Sequence, residues 1–415
     1  MPAARPNPIY LDYNATTPIF PEVVEAMRAC WSEPHLNPAS QHGFGRRARR
    51  ALEDARERIA ELLGANASGT NADRLIFTSG GTESNNLAIR GLLPVPARAA
   101  EPGEAGSRRE QGEGALSSHL VTSAIEHPSI AALTDHLSHA GYRGDRLSVG
   151  SNGAVRSETL PPFLRPETRV VAAVLANNET GVVQPIAELA TICNAQRIPL
   201  HTDAAQAAGK LPLNFRELGA ATLTIAAHKF GGPVGIGALL VRSDIQLTPV
   251  LRGGVQQSGL RPGTESVALV RGMMTALELW ERNRRAWVAH IEGLRDEFES
   301  TLKGSGQPIE IIGARAQRLP TTSNVAFLGL DRQALFVALD QAGIACSTGS
   351  ACASGSSQPS PVHLAMGLSP DVISSALRFS FGVQSTDAEV AESTDRILGI
   401  CNNLRGQKLA GNSRA

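Results

Sequence analysis

The chain lacks the sequence features of membrane, secreted and nucleic-acid-binding proteins. No run approaches the roughly 20 apolar residues that span a bilayer, and residues 1–18 lack the charged and apolar regions of a signal peptide. Five cysteines, an odd number in a long chain, argue against a disulfide framework, and the absence of a Cys-x-x-Cys pair argues against a zinc site. Basic and acidic residues balance at 39 each, so no net charge attracts nucleic acid. We expect a soluble cytoplasmic protein without nucleic-acid, membrane or metal partners.

Lysine is also scarce, and one lysine has a distinctive setting. The only lysines are Lys210, Lys229, Lys303 and Lys408. Lys229 follows an apolar β-type run and precedes Phe-Gly-Gly, which predicts a partly desolvated amine. Because desolvation lowers the pKa of a lysine, Lys229 is the predicted nucleophile for a Schiff base with an aldehyde cofactor. A surface lysine after a strand is the alternative interpretation.

Short apolar runs alternate with helical patterns along most of the chain. The predicted buried strands are Leu75–Thr78, His119–Thr122, Val170–Leu175, Ile198–His201, Thr222–Ala226 and Ile236–Val241. Continuous apolar strands joined by helices predict an α/β protein with a mostly parallel sheet covered on both faces. A helical pattern with an expected break or bend runs from Ser266 to Lys303. Further strands are expected at Thr322–Leu328 and Leu377–Phe381.

The length of 415 residues is enough for two domains. We expect a large domain at 19–265, interrupted at 94–118 by a flexible insertion rich in Pro, Gly and charge. The small domain is expected to combine 1–18 with 266–415. Within it, the segment 347–361 consists largely of Ser, Gly, Ala and Pro and is predicted to form a mobile loop.

Polar residues at three strand ends suit a planar, phosphorylated cofactor. Gly81-Thr82 lies between a strand and a helix, where unpaired N–H groups and the helix dipole favour a phosphate. His127 follows another strand and can stack on a planar ring or exchange protons. Asp203 follows a third, where a carboxylate can keep a pyridine nitrogen protonated, with Gln206 near the ring hydroxyl. Helix caps and a core histidine are the alternative interpretations.

Two residues in the C-terminal part of the chain suggest a reactive thiol and an anion site. Cys352 lies in the segment of small residues, which offers nothing to bury it, so we predict a mobile nucleophile. Cys346 fits a buried structural role better. Arg378 lies in an apolar strand and needs an anion, either a substrate carboxylate or a structural ion-pair partner.

An ordered series of motifs covers nearly the whole chain. The series is SGGTESNN, IEHPSI, ANNETGVVQPI, HTDAAQAAGK, AAHKFGGPVGIG, RPGTES and STGSACASG. It resembles the motifs of cysteine desulfurases of the iron–sulfur-cluster and nitrogen-fixation type, which are class V aminotransferases. The resemblance runs from Leu11 to about Gly382. It implies the fold-type I pyridoxal-phosphate fold, with a mostly parallel seven-stranded sheet between helices and a smaller α+β C-terminal domain.

The resemblance implies a role for each residue around the cofactor ring. Lys229 would bind pyridoxal phosphate covalently and act at the substrate carbon. Asp203 would pair with the ring nitrogen, and Gln206 with the phenolic oxygen. His127 would stack on the ring and serve as an acid–base partner. Asn178 would lie beside both the ring and the substrate.

The resemblance also implies residues for the phosphate and the substrate. Gly81, Thr82 and His228 would contact the phosphate. Arg378 would bind the substrate carboxylate. Thr264 would reach the phosphate of a partner subunit, which implies a homodimer with shared sites. One departure concerns the phosphate, because Ala226 replaces the serine usual in the family.

The implied reaction converts L-cysteine to L-alanine and leaves the sulfur as a persulfide on Cys352. A sulfur-acceptor protein, either an iron–sulfur scaffold or a thiolation relay, would then receive it. A selenocysteine lyase and a class V aminotransferase are alternatives within the fold, although an aminotransferase needs no loop thiol. A non-catalytic sulfur-transfer subunit is the alternative from another functional class.

Overall fold

The structure, a computed structural model, describes residues 7–33, 37–94, 118–349 and 358–412. Except for its two end residues, the predicted insertion at 94–118 lies outside these ranges. Within them, no helix combines the length and apolar character needed to cross a membrane. The same ranges contain no cluster of three or more His, Cys, Asp or Glu side chains that could hold a metal ion.

The strands form one large sheet and two small ones. In chain order they are β1 (Ile9–Tyr10), β2 (Arg74–Thr78), β3 (His119–Ser123), β4 (Arg143–Leu147), β5 (Thr168–Val174), β6 (Leu200–Asp203), β7 (Thr222–Ala226), β8 (Gly237–Val241), β9 (Ile309–Ile312), β10 (Thr322–Phe327), β11 (Ile344–Ala345) and β12 (Ala376–Ser380). The large sheet has seven strands in the order β2-β8-β7-β6-β5-β3-β4.

The large sheet is mostly parallel, as predicted. Only β8 runs antiparallel to its neighbours β2 and β7, whereas β3 to β7 pair in parallel. Each predicted apolar run of this sheet recurs as a strand, which confirms the α/β fold. β4 escaped prediction because Arg143–Leu147 is a polar, half-exposed strand at the edge of the sheet, where no apolar pattern is required.

Helices cover the large sheet and pack against the small ones. They are α1 (Pro21–Ser32), α2 (Gly43–Leu62), α3 (Gly81–Leu92), α4 (Pro128–His139), α5 (Ile186–Ala195), α6 (Phe215–Leu218), α7 (Val267–Gly304), α8 (Arg332–Gln341), α9 (Pro361–Ala365), α10 (Pro370–Ser375) and α11 (Asp387–Asn412). In α2 the apolar stripe Ala48, Leu52, Ala55 and Ile59 is buried, as its helical spacing requires.

Helix α7 connects the two parts of the molecule without interruption. Of the break or bend predicted between Ser266 and Lys303, the break is wrong, because one helix runs from Val267 to Gly304. Its first turns pack into the core of the large sheet through Met273 and Leu277. Its last turns pack through Phe298 into a second core. Both ends are therefore held by apolar contacts.

The second core belongs to a smaller α+β C-terminal part, as the resemblance implied. It combines the antiparallel sheet β12-β10-β9 with the parallel pair β1-β11. The N-terminal residues Ile9 and Leu11 are buried there beside Phe327 and Phe379. Since α7 contributes to both cores, the domain boundary at 265/266 stays a prediction.

Candidate functional site

A cavity of about 380 Å³ lies at the carboxyl ends of β5, β6 and β7. Open α/β sheets bind ligands at this edge, and the volume suits a small molecule. The predicted residues that line it are Gly81, Thr82, His127, Asn178, Asp203, Gln206, His228, Lys229 and Arg378. A surface cavity of about 460 Å³ beside α2 is larger, but it is lined by none of them.

Asp203, the last residue of β6, forms a polar floor for the cavity. Its carboxylate accepts hydrogen bonds from Nδ2 of Asn85 at 2.7 Å and from the backbone N–H of Ala205 at 2.9 Å. Oδ1 of Asn85 lies 3.0 Å from Nε2 of His201, whose pKa burial lowers to about 4. The floor is therefore built from one carboxylate and neutral groups. Asn85 was not among the predicted site residues, although it lies three residues after Thr82 on the same helix face.

His127 is both a helix cap and part of the cavity wall. Its Nδ1 accepts a hydrogen bond from the backbone N–H of Ser129 at 3.1 Å, which caps α4. The neutral ring therefore carries its proton on Nε2. Burial lowers the pKa of His127, and the nearby charge of Asp203 opposes that shift. Oγ of Ser129 accepts a hydrogen bond from Nδ2 of Asn85 at 2.8 Å. This bond connects the cap of α4 to the polar floor around Asp203.

The amine of Lys229 lies in the cavity wall rather than on the outer surface. Lys229 ends the short helical turn after β7. Its Nζ donates to the backbone oxygens of Asn14 at 2.8 Å and Ala15 at 2.9 Å. Asn14 is 1% exposed and was missed by sequence analysis. The Leu-Asp-Tyr-Asn motif that contains it offered the only signal.

One end of the cavity is suited to an anion. Gly81 and Thr82 begin α3, and helix N-termini present N–H groups and a favourable dipole to negative charge. His228 is half-buried nearby, and burial, followed by the charges of Lys229 and Lys210, lowers its pKa to about 4. Its ring is therefore neutral near pH 7. Ala226 lines this region without offering a hydroxyl group.

Arg378 lies in β12 and reaches the cavity from the smaller part of the molecule. It is 1% exposed, and its Nη2 forms an ion pair with Oδ1 of Asp12 at 2.5 Å. Nη1 donates to the backbone oxygen of Asn178 at 3.0 Å. Among the described residues, Nε has no hydrogen-bond partner. The structural ion pair considered for this arginine therefore exists, and the residue still lines the cavity.

One predicted residue that the structure describes, Thr264, is not part of this cavity. Thr264 is exposed and lines a separate surface cavity with Trp31 and Pro38. Cys352 lies outside the described residues, within 350–357. The residues on either side of that gap are held close to the cavity. Ser347 pairs with the backbone of Arg378, and Oγ of Ser360 donates to Glu179 at 2.6 Å.

Comparison with known proteins gives consistent matches over most of the chain. The profile of the aminotransferase class-V family matches residues 9–392. Cysteine desulfurase IscS of Dictyoglomus turgidum is 37% identical over 397 residues, covering 96% of this chain and 95% of that protein. Selenocysteine lyase of Bos taurus is 39% identical, and the match covers 96% of this chain and 94% of that protein. A solved NifS-like protein superimposes with a TM-score of 0.83 at 30% identity, covering 96% of this chain and all of that one.

Proposed function

Since this chain belongs to the class-V aminotransferase family, we propose that it is a pyridoxal-phosphate-dependent cysteine desulfurase. It converts L-cysteine to L-alanine and holds the sulfur as a persulfide on Cys352. The proposal depends chiefly on one observation: Lys229, Asp203, His127 and Arg378 converge on a single cavity. Relatives named cysteine desulfurase, at 37–39% identity over nearly the full chain, support the choice of reaction.

The residues of the cavity fit pyridoxal phosphate. Asp203 is buried and accepts hydrogen bonds only, so it suits a protonated ring nitrogen. Gln206 offers an amide to the phenolic oxygen, and the ring of His127 would cover one face. When bound, the cofactor supplies an electron sink for negative charge at the substrate α-carbon.

The phosphate would lie at the N-terminus of α3. Gly81 and Thr82 supply backbone N–H groups and one hydroxyl, and His228 supplies a neutral imidazole donor. Ala226 removes one hydroxyl donor from this group. Thr264 lies apart from the cavity and is proposed to contact the phosphate of a partner subunit, which would make the enzyme a homodimer.

The substrate would be held between the cofactor and Arg378. The guanidinium would bind the cysteine carboxylate, and Asn178 would flank it. Lys229 would remove the α-proton and return it, which requires its amine to be neutral for part of the cycle. His127, with its proton on Nε2, would exchange a proton with the substrate thiol.

Cys352 would receive the sulfur. Its thiolate attacks the substrate sulfur, an S–S bond forms, and the C–S electron pair stays with the substrate carbon. Protonation of that carbon gives alanine. The persulfide would then pass to an iron–sulfur scaffold or a thiolation relay. The described cysteines are buried and unpaired, which supports a reducing cytoplasm as the compartment.

Mass spectrometry of Cys352 after treatment with L-cysteine tests the proposal. We expect the peptide containing Cys352 to gain one sulfur atom while alanine forms. Cys346→Ala is the matched control, because burial raises the pKa of Cys346 to about 12 and makes it a poor nucleophile. Cys352→Ala should keep the visible cofactor band but release no sulfide. Sulfur on another cysteine, or normal sulfide release by Cys352→Ala, would contradict the proposal.

A selenocysteine lyase is the second candidate. The similarity to the bovine enzyme of that name favours it. Both candidates use the same cavity, so only a comparison of substrates separates them. Turnover of selenocysteine with no measurable turnover of cysteine would replace the first proposal by the second.

A further inference from the structure

Lys210 is a buried lysine beside the cavity that the proposed chemistry does not use. Its side chain is 4% exposed. Nζ donates to Oε1 of Gln206 at 2.6 Å and to Oδ1 of Asn14 at 3.0 Å. Within the described ranges, no carboxylate forms an ion pair with it. Burying a cation without an anionic partner is costly, so Lys210 is unfavourable on stability grounds alone.

An ammonium group donates hydrogen bonds and cannot accept them. Both side-chain amides that contact Lys210 must therefore turn their oxygen atoms toward it. The nitrogen of Gln206 is then directed away, and Nε2 donates to the backbone oxygen of Asn14 at 2.9 Å. The nitrogen of Asn14 donates to Oγ1 of Thr322 at 2.9 Å and to the backbone oxygen of Asn178 at 3.2 Å.

The amide of Gln206 and the amine of Lys229 share one acceptor. The backbone oxygen of Asn14 that accepts from Gln206 also accepts from Lys229. Asn14 and Gln206 both line the cavity, whereas Lys210 lies behind them. Burial, together with the charges of Lys229 and Arg378, lowers the pKa of Lys210 well below its usual value. A neutral amine would still have two N–H groups for these two oxygens, whereas the ammonium form alone excludes a reversed amide.

We propose that Lys210 is a positioning residue: it fixes the amide of Gln206 so that a nitrogen donor faces the bound ring. This inference rests on the proposed function, because the acceptor for that donor is the phenolic oxygen of pyridoxal phosphate. With the amide reversed, an oxygen would face the phenolic oxygen and repel it. Lys210 thus acts on the cofactor through Gln206 and not by contact.

A double-mutant cycle with Lys210→Met and Gln206→Leu tests this indirect action. The readout is the pH midpoint at which the visible band of the bound cofactor changes. Lys210→Met should raise the midpoint by about one unit, since the Gln206 donor that favours the deprotonated form is no longer held in place and is weakened. The other titratable and charged groups of the cavity stay in place, namely Lys229, Arg378, His127, His228 and Asp203, and so does Asp12, which pairs with Arg378.

In the double-mutant cycle, Lys210→Met should change the pH midpoint little when Gln206 is already replaced by leucine, because the two residues act as one unit. Lys303→Met is the matched control, since Lys303 is 56% exposed at the far end of α7. Additive shifts, or an unchanged midpoint in Lys210→Met, would overturn the inference. A wild-type protein that binds no cofactor would instead overturn the proposed function.

A second measurement needs no variant. A crystal structure of the holoenzyme at atomic resolution distinguishes the oxygen and nitrogen of the Gln206 amide. Nitrogen on the cofactor side supports the inference, and oxygen there overturns it. This measurement still decides the question if Lys210→Met does not fold.

Discussion

The two halves of the cavity differ in how they are built. The sheet-edge half consists of residues at strand ends and the helix that follows β2, such as Asp203, Asn85 and His127. The inserted half consists of residues brought in from outside the large sheet, namely Asn14 and Arg378, and Asp12 supports it through its ion pair with Arg378. Neutral donors surround the carboxylate of the first half, whereas the second depends on an ion pair. The difference suggests that the first half retains the cofactor and the second selects the substrate.

Lys229 connects the two halves, so its replacement should have the largest effect. Its backbone belongs to the sheet edge, while its amine is held by Asn14 and Ala15 of the N-terminal segment. Lys229→Ala should lower alanine formation by about 10³-fold or more, because a nucleophile and a proton-transfer group are both lost. The visible band should also change. Lys303→Ala is the control, and normal turnover by Lys229→Ala would exclude Lys229 as the reactive amine.

Arg378 tests the inserted half alone. Arg378→Lys keeps the positive charge beside Asp12 but loses the paired donors of the guanidinium. We expect KM for cysteine to rise about 10- to 100-fold, the range of one or two charge-assisted hydrogen bonds, with the cofactor band unchanged. Steady-state kinetics and the absorption spectrum measure these effects. An unchanged KM in a folded variant would leave Arg378 with only its structural ion pair.

Asn85 tests the sheet-edge half in the same way. Asn85→Ala removes one of the donors to Asp203 and the connection to Ser129. The cofactor should bind about 5- to 30-fold more weakly, which corresponds to roughly 1–2 kcal/mol, within the range for a buried acceptor that loses one donor. KM for cysteine should stay near its normal value at saturating cofactor. Asn86→Ala is the matched control, since the amide of Asn86 donates to the backbone of Thr82 within α3.

The sheet-edge half was far easier to predict from the sequence than the inserted half. Asp203, His127 and Lys229 each follow an apolar run, and the ends of adjacent parallel strands meet at one edge. The hydrogen bond between Lys210 and Asn14 joins residues 196 positions apart. No local pattern encodes such a contact, because it depends on how the N-terminal segment and the sheet pack together. The polar edge strand β4 was not predicted for a related reason. It forms by pairing with β3, and its own sequence carries no apolar pattern.

Glu126 allows the stability of the sheet edge to be tested separately from cofactor binding. Its replacement by glutamine should have the smallest effect on turnover, about twofold or less. Glu126 precedes His127 but does not line the cavity. Its Oε1 accepts from the hydroxyl of Ser123 and from the backbone N–H of Val174 at 2.8 Å. Burial raises the pKa of Glu126 from 4.5 to about 7. The folded state thus holds this proton more tightly than the unfolded chain does.

The stability contributed by that proton is complete below about pH 4.5 and is lost as the pH rises through about 7. Glu126→Gln is neutral throughout, so it should gain stability relative to the wild type across this window, by about 1–3 kcal/mol. Urea unfolding of both proteins at pH 5 and pH 8 measures the gap between their free energies of unfolding. A gap that does not change with pH would show that Glu126 is ionised in the folded protein throughout this range. Weaker cofactor binding by Glu126→Gln would show that the sheet-edge half extends beyond the cavity wall.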